Sequence, residues 1–173
     1  MAVREILLLG NPVLRERCRR VRSVDPSTVD SIVTDLRDTL QMFRKQRGFG
    51  RGIAAPQIGT TERIIYIDYE FSGPMVNPTI VRRSRKKFLL WDDCFSFPDL
   101  LIKVERSKEI DVAFEDEAGT KRSIHATGGF AELLQHEIDH LDGILAIDRA
   151  VDSRHIILRS EFEKLQIDRR VSM

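Results

Sequence analysis

The segment GFAELLQHEIDHLDG, residues 129–143, combines a helical pattern with side chains that can bind a metal. Its apolar residues have the spacing of one helix face and are Phe130, Leu133, Leu134, Ile138 and Leu141. This spacing predicts a helix over 129–141, which Gly143 would close. Because residues four apart lie on one face of a helix, His136 and His140 would present their imidazoles one turn apart. That geometry suits two ligands of a single metal ion.

Glu137 completes an H-E-x-x-H pattern with the two histidines. On a helix it lies on the adjoining face, where its carboxylate can reach a water molecule on the metal rather than the metal itself. That position suits a general base that later acts as an acid. Two incidental histidines on a charged helix would give the same pattern, but three specified letters in a span of five, on a predicted helix, favour the metal site.

A catalytic site of this kind needs a third protein ligand and one open position. A metzincin-like site would require a histidine where this chain has Ala146, which cannot bind a metal. A thermolysin-like site would use a glutamate from a following helix, and Glu161 is the best placed. The third candidate is Cys94, upstream in WDDCFSFP, residues 91–98. Spacing alone leaves Glu161 and Cys94 both open.

The composition predicts one compact globular domain over residues 1–173, since 42% of the residues are hydrophobic and 32% are charged. No apolar run is long enough to cross a bilayer and the start does not resemble a signal peptide, so we expect a cytoplasmic protein without a membrane partner. A net charge of +1, with no nucleic-acid-binding motif, gives no reason to expect a specific nucleic-acid partner. Two cysteines are too few for a disulfide scaffold, and we expect Cys18 to be a buried structural thiol.

Periodicity divides the rest of the chain into helices and strands. A helix is predicted from about Asp25 to Arg47, with Asp25 and Pro26 in its cap and first turn, and another from Ser153 to Leu165. Between them, strands are expected over 63–68, 75–81, 100–104, 109–115 and 121–126. A helix, then strands, then a helix predict an α+β fold with antiparallel β-sheets.

Three motifs, in order, resemble those of the peptide deformylase family, and the resemblance covers nearly the whole chain. The first, G-x-G-(hydrophobic)-A-A-x-Q, stands as GRGIAAPQ at residues 50–57. The second, E-G-C-L-S, is altered to DDCFS at 92–96, and the third, Q-H-E-x-D-H, is intact at 135–140. NPVLR at 11–15 and IDR at 147–149 also match the family. The fold implied is one of antiparallel sheets packed around a central metal-binding helix.

The resemblance implies that Cys94, His136 and His140 hold one divalent metal ion and that Glu137 activates its water. A thiolate and two neutral imidazoles leave a net positive charge on the metal, which lowers the pKa of bound water. The family commonly uses Fe²⁺ in cells, although Zn²⁺ and Ni²⁺ also suit these ligands. By the same resemblance, the side-chain amide of Gln57 and the backbone N–H of Phe95 form an oxyanion hole.

The function implied is hydrolysis of the formyl group of N-formylmethionyl peptides, or of a related formamide, with release of formate. Ribosome-associated nascent chains are then expected partners. The substrate-binding residues implied are Gly50, Arg51, Gly52, Asp93, Arg106, Gly129 and Leu133. Two other function classes are also compatible with an H-E-x-x-H helix. A thermolysin-like peptidase using Glu161 is disfavoured by the first motif, and a non-catalytic peptide-binding paralogue by the retained base and ligands.

Three departures from the family cluster near the pocket for the methionine side chain. Arg51 stands where the family commonly has an apolar residue, Asp93 replaces a glycine, and Gly129 replaces a large apolar residue. Two charged residues beside a small one favour a polar group over a thioether. Neutral drift, with both charges facing water, explains the same departures equally well.

Overall fold

The computed structural model describes residues 3–22 and 26–171, and it has the α+β architecture expected from the sequence. Within these residues the helices are α1 (Pro26–Arg47), α2 (Gly128–Leu141) and α3 (Arg159–Val171). The strands are β1 (Gly52–Ala54), β2 (Ile64–Asp68), β3 (Ser72–Arg83), β4 (Lys87–Asp93), β5 (Leu100–Ser107), β6 (Glu109–Glu115), β7 (Lys121–Thr127) and β8 (Ile156–Leu158). Asp25, expected to cap the first helix, lies outside the described residues.

The strands form two antiparallel sheets. One has five strands in the order β1-β2-β3-β6-β7, and the other has three in the order β4-β5-β8. In the smaller sheet Asp92 of β4 pairs with Ile102 of β5, and Leu101 of β5 pairs with Ile157 of β8. Because β4 ends at Asp93, the following residue, Cys94, projects from the end of this sheet toward α2.

Three strands were not predicted from the sequence. β1 and β8 have three residues each, too few for a period of two to be recognised. β4, KFLLWDD, carries charges at both ends and follows a basic loop. The predicted helix over 153–165 begins only at Arg159, because residues Ile156–Leu158 pair with β5 instead. Pairing with an existing sheet therefore outweighs the helical pattern there.

Helix α2 is buried between the two sheets and packs against β1, β5 and β7. Every residue from Phe130 to Leu141 is buried, so the helix carries polar side chains into the interior. Leu134 and Leu141 are fully enclosed, and each contributes roughly 1.5–3 kcal/mol through burial of its side chain. The large sheet supplies most of the surrounding apolar cluster, including Ile67 and Met75.

The buried polar residues of α2 have specific partners. Gln135 exchanges two hydrogen bonds with the backbone of Ser107, since its Oε1 accepts from the N–H at 3.0 Å and its Nε2 donates to the carbonyl oxygen at 2.9 Å. Asp139 accepts hydrogen bonds from Arg106 and from Arg149. These contacts fix the rotation of α2 and with it the direction of its histidines, since unpaired buried polar groups are costly.

Helix α1 covers the outer side of β1 and β2. Its predicted apolar face is buried at Val29, Val33, Leu36, Leu40 and Phe43, which pack against a second cluster that includes Ile53, Ile64 and Phe95. Among the described residues, no helix is long and apolar enough to cross a membrane.

Candidate metal centre and active site

Three potential ligand atoms converge between α2 and the end of β4. The Nε2 atoms of His136 and His140 lie 3.2 Å apart, and Cys94 Sγ lies 3.3 Å from His140 Nε2. All three residues are buried, and their ligand atoms lie within 4.8 Å of one another. A tetrahedral centre with bonds of about 2.0–2.3 Å places its ligand atoms roughly 3.3–3.7 Å apart. The observed separations therefore fit a single cation.

The chemistry of the donor set also fits a cation. Two imidazole nitrogens and one sulfur, all electron-pair donors, face each other in a buried space, which is the donor set that a divalent cation binds. Burial lowers the pKa of His140 well below its ordinary value, and the positive charge of His136 lowers it further. His140 is therefore neutral, which is the form that binds a metal.

Glu161, the alternative third ligand, is remote from this group. It lies on α3, about half of its side chain is exposed, and its carboxylate is 2.6 Å from Lys164 Nζ. It is absent from the metal-binding groups found among the described residues. A surface pair of neighbours on one helix explains its position, so the thermolysin-like arrangement is not present.

Asp92 stands behind the first histidine of the group. Its Oδ1 lies 2.8 Å from His136 Nδ1, a close electrostatic contact rather than a well-aligned hydrogen bond. Burial alone would raise the pKa of Asp92, but the charges of His136 and Arg106 lower it to about 2. Burial alone would lower the pKa of His136, but Asp92 raises it well above its ordinary value. Asp92 thus stays ionised and faces Nδ1, so a cation at Nε2 would take the place of the second ring proton of His136.

Arg106 was expected near the peptide-binding groove, but the structure places it behind the ligand group. It is 4% exposed, donates to Asp92 Oδ2 at 3.0 Å and also donates to Asp139. Two buried carboxylates hold its guanidinium, and Arg106 does not line the open cavity beside the ligand group. Arg106 therefore helps to hold the Asp92 carboxylate in place, and Asp92 in turn orients His136.

Glu137 follows His136 on α2 and points toward β1. A Cβ atom at position 52 would lie 3.0 Å from Glu137 Oε1, so Gly52 provides the space that this carboxylate needs. Burial raises the pKa of Glu137 to about 7; the charge of His136 opposes the rise, and those of Asp92 and Glu132 add to it. Within the described part of the chain, its buried Oε2 has no hydrogen-bond partner. A carboxylate in this state suits proton transfer near neutral pH.

Gln57 presents its amide nitrogen to the same site. Its Oε1 accepts a hydrogen bond from the Ala54 N–H at 2.9 Å, which fixes the orientation of the amide. Its Nε2 consequently points toward Cys94 Sγ, at 3.6 Å, and Ser96 Oγ, at 3.4 Å. The backbone N–H of Phe95 has no acceptor among the described residues. Two N–H donors therefore stand beside Cys94.

An open cavity of about 430 Å³ leads to this group, a size typical of small-ligand sites. The predicted site residues in its wall are Gly50, Arg51, Gly52, Gln57, Asp93, Cys94, Phe95, Leu133, His136 and Glu137. Wall residues that the sequence did not indicate are Arg44, Gly48, Phe49, Trp91 and Glu132. Of the predicted residues, Arg106, Gly129 and His140 are not part of the wall.

The glycine-rich turn lies at the rim of the cavity, where it packs against Phe95 and is held by Arg44. Gly50 has φ +132°, and a Cβ there would lie 2.6 Å from the ring of Phe95. Arg44 holds the turn in place, since its Nε donates to the Gly50 carbonyl oxygen at 2.9 Å and its Nη1 to Asp68 at 2.7 Å. Gly50 and Gly52 thus accommodate Phe95 and Glu137, in addition to lining the cavity.

Arg51 reaches across the cavity wall to α2. Its Nη2 donates to Glu132 Oε2 at 2.6 Å, and its Nη1 donates to the Gly129 carbonyl oxygen at 3.2 Å. The guanidinium carbon lies 5.3 Å from the centroid of the Tyr69 ring. A Cβ at position 129 would lie 3.6 Å from Arg51 Nη1, an ordinary van der Waals contact, so the arginine packs directly against the start of α2. Glu132 was missed from the sequence, although a glutamate four residues before His136 in an apolar stretch was a usable signal.

Asp93 is also paired rather than free. Its Oδ2 accepts a hydrogen bond from Arg159 Nη2 at 2.9 Å, and Arg159 lies over the ring of Phe49 at 4.1 Å. Arg159 also donates to the carbonyl oxygen of Pro98. The start of α3 is thereby attached to one side of the cavity.

A buried ligand group, an adjoining carboxylate and two N–H donors at one cavity define a mononuclear metallohydrolase. Comparison with known proteins narrows the class. The family described as polypeptide deformylase matches residues 3–155, most of the chain. The chain therefore belongs to the polypeptide deformylase family, a family of metal-dependent hydrolases.

Individual relatives agree with this assignment. The chain is 37% identical over 159 residues to a peptide deformylase of Pseudothermotoga lettingae, covering 92% of this chain and 90% of that protein. It is 40% identical to one of Thermomicrobium roseum, with 88% of each covered. Among solved structures, the peptide deformylase of Thermotoga maritima superposes with a TM-score of 0.81 at 30% identity, covering 88% of this chain and 100% of that one. That of Legionella pneumophila gives 0.80 at 31%, covering 96% and 98%.

Proposed function

We propose that the protein hydrolyses the formamide bond of N-formylated peptides, giving formate and a free amino terminus. The observation that carries this proposal is the convergence of the Cys94, His136 and His140 ligand atoms beside a cavity whose wall also contains Glu137 and Gln57. A formyl group is the smallest acyl group, and it suits a site whose carboxylate, ligands and amide donor lie so close together. The named relatives are peptide deformylases, which supports this substrate.

Cys94, His136 and His140 would hold one divalent cation. When bound, that cation supplies Lewis acidity toward the formyl carbonyl and lowers the pKa of a coordinated water molecule. One thiolate and two imidazoles suit Fe²⁺, Zn²⁺ and Ni²⁺ alike. We propose Fe²⁺ as the metal in cells because the family commonly uses it.

Glu137 performs the proton transfers. Its carboxylate accepts a proton from the attacking water, and the resulting acid then donates that proton to the departing amide nitrogen. Burial favours this cycle because it raises the pKa of Glu137 toward neutrality. The products are formate and the amine, and the water molecule supplies the oxygen and both hydrogens that the hydrolysis requires.

Gln57 and the Phe95 backbone orient the carbonyl group. Gln57 Nε2 and the Phe95 N–H donate hydrogen bonds to the formyl oxygen as negative charge develops on it. Because the Ala54 N–H fixes the Gln57 amide in advance, little reorganisation is needed during the reaction.

We further propose that the substrates are formylated peptides in the cytoplasm, with nascent chains at the ribosome as one source and free formyl-peptides as another. Both cysteines are free thiols, which agrees with a reducing compartment. Cell fractionation and co-sedimentation with translating ribosomes test this point separately from the chemistry.

The test of the chemistry is formate release from formyl-peptides by protein loaded anaerobically with one defined metal. We expect formate in proportion to bound metal and none from the metal-free protein. His140→Ala should lose both metal and activity, whereas Glu161→Ala should keep both. Absence of formate from the metal-loaded protein with every formyl-peptide tested would overturn the proposed function.

A further inference from the structure

The cavity contains a paired acid and base immediately beside the ligand group. Glu132 lies one helical turn before His136 on α2, and its carboxylate belongs to a group with Asp92 and His136 whose polar atoms lie within 4.8 Å of one another. Its side chain is 5% exposed, whereas that of Arg51, its partner, is 36% exposed. Arg51 and Glu132 line the same cavity as His136, so a substituent on the carbon next to the formamide nitrogen can reach this pair when the formyl group lies at the ligand group.

The Arg51–Glu132 pair is built into the wall rather than left loose on the surface. Arg51 contacts Glu132, the Gly129 carbonyl oxygen and the Tyr69 ring, so three groups of the wall hold its guanidinium. Two hydrogen-bond acceptors use fewer than the five N–H donors of a guanidinium. Because both residues line the cavity, the pair retains hydrogen-bonding groups that a ligand there can use.

Resting on the proposed function, we infer that the first side chain of the preferred formyl-peptide is neutral and polar, with both a donor and an acceptor, as in an amide. Such a group can accept from Arg51 and donate to Glu132 at the same time. A thioether would cover both charged groups without giving either a hydrogen bond, which is unfavourable in a buried site.

Charged side chains fit the cavity less well. An acidic side chain would meet Glu132 and Glu137, both buried in the wall. A basic side chain would meet Arg51 and Arg44, and it would approach the bound cation. A neutral side chain with both a donor and an acceptor avoids both repulsions. Its acceptor can face Arg51 while its donor faces Glu132.

The test is a panel of formyl-X-Ala-Ser peptides in which X is Gln, Asn, Met, Ala, Asp or Lys, assayed for formate release by the metal-loaded protein. We expect kcat/KM for the Gln or Asn peptide to exceed that for the Met peptide by about 10-fold or more. Equal or faster cleavage of the Met peptide overturns the inference. Fastest cleavage of the Ala peptide also overturns the inference, because it would mean that the ion pair fills the space. Fastest cleavage of the Asp or Lys peptide overturns it as well.

The panel separates this inference from the function on which it rests. Formate from some peptides with the wrong preference rejects only the inference, whereas no formate from any peptide rejects the function and the inference together. Binding provides a second readout, because the Glu137→Gln protein should bind the formyl-Gln peptide more tightly than the formyl-Met peptide in calorimetry. That measurement leaves Arg51 and Glu132 intact.

A double variant assigns the preference to the pair. Arg51→Leu with Glu132→Leu removes both charges together, so neither is left unpaired, and the Gln-to-Met ratio should fall at least 10-fold. The matched control is Lys87→Gln with Glu105→Gln, which removes an exposed ion pair of 2.7 Å on β4 and β5. The control should keep the wild-type ratio, and an equal fall in both double variants contradicts the assignment.

Discussion

Asp92 Oδ1 lies 2.8 Å from Nδ1 of His136, on the opposite side of the ring from the candidate ligand atom. This contact fixes which ring nitrogen is available to the metal and makes the imidazole a better donor. Asp92→Asn keeps the shape of the side chain but loses its charge. We expect metal affinity to fall roughly 10- to 100-fold, measured by competition with a chelator.

The control for this variant is Asp111→Asn, which changes a similar contact of 2.6 Å with His125 on the exposed face of the large sheet. Its metal affinity should equal that of the wild type. If Asp92→Asn also binds metal as tightly as the wild type, then Asp92 does not act through His136.

The two cysteines give a matched pair of tests. Cys94→Ser should abolish or greatly weaken metal retention, because a hydroxyl is a far poorer ligand than a thiolate. Cys18→Ser should leave the metal content unchanged, since Cys18 packs in an apolar cluster away from the ligand group. Metal analysis after gel filtration measures both. Retention of metal by Cys94→Ser, or its loss from Glu161→Ala, would show that the third ligand has been assigned incorrectly.

Glu137→Gln should keep the metal and the fold while losing nearly all turnover. The amide has almost the same size, but it cannot accept the proton of the attacking water. General acid–base catalysis contributes about 10²- to 10⁴-fold, so kcat should fall by at least 100-fold. Glu161→Gln, a change on the exposed face of α3, serves as the control. A Glu137→Gln protein that retains most of its rate requires another base.

Gln57→Leu tests the proposed donor to the carbonyl oxygen. Removing one such donor costs about 3 kcal/mol of transition-state stabilisation, which corresponds to roughly 10²-fold in kcat. Because Gln57 also accepts from the Ala54 N–H, the thermal midpoint must be measured beside the rate. A large fall in kcat with the metal content unchanged is expected. A change confined to KM would instead indicate a role in ground-state binding.

The sequence was most informative where function restricts residue type. His136, Glu137, Cys94 and Gln57 were singled out from motif and resemblance, and the structure brings all four together at one cavity. Helix α2 was also predicted to within one residue of its start, because its apolar periodicity and its motif agree.

What the sequence did not reveal depends on contacts between distant segments. Arg106 was expected at the groove, but its direction is set by Asp92 and Asp139, which lie on other elements. Glu132 could be recognised as a wall residue only from its hydrogen bond with Arg51, which is 81 residues away in sequence. The short strands β1 and β8 exist because neighbouring strands pair with them, and three residues carry too little periodicity to show it.

We expect ionisation of the buried Cys18 thiol to lower the free energy of unfolding in alkaline solution. Burial raises the pKa of its thiol from an ordinary 9.0 to about 12; Arg63 opposes the rise, and nearby carboxylates add to it. The folded state therefore holds the thiol proton more tightly than the unfolded state. The resulting contribution to the free energy of unfolding is fully present below pH 9 and is lost as the pH rises toward 12.

A single group of this kind contributes a slope of up to about 1.4 kcal/mol per pH unit between the two pKa values. Urea unfolding of the wild type and of Cys18→Ala, at intervals from pH 8 to roughly pH 11, isolates this contribution from other groups that titrate there. The variant should be less stable at pH 8, because it leaves a small cavity, but its stability should decline less steeply with pH. Parallel curves for the two proteins would mean that the Cys18 thiol titrates alike in the folded and unfolded states, and the assignment of the alkaline loss to its burial would then be wrong.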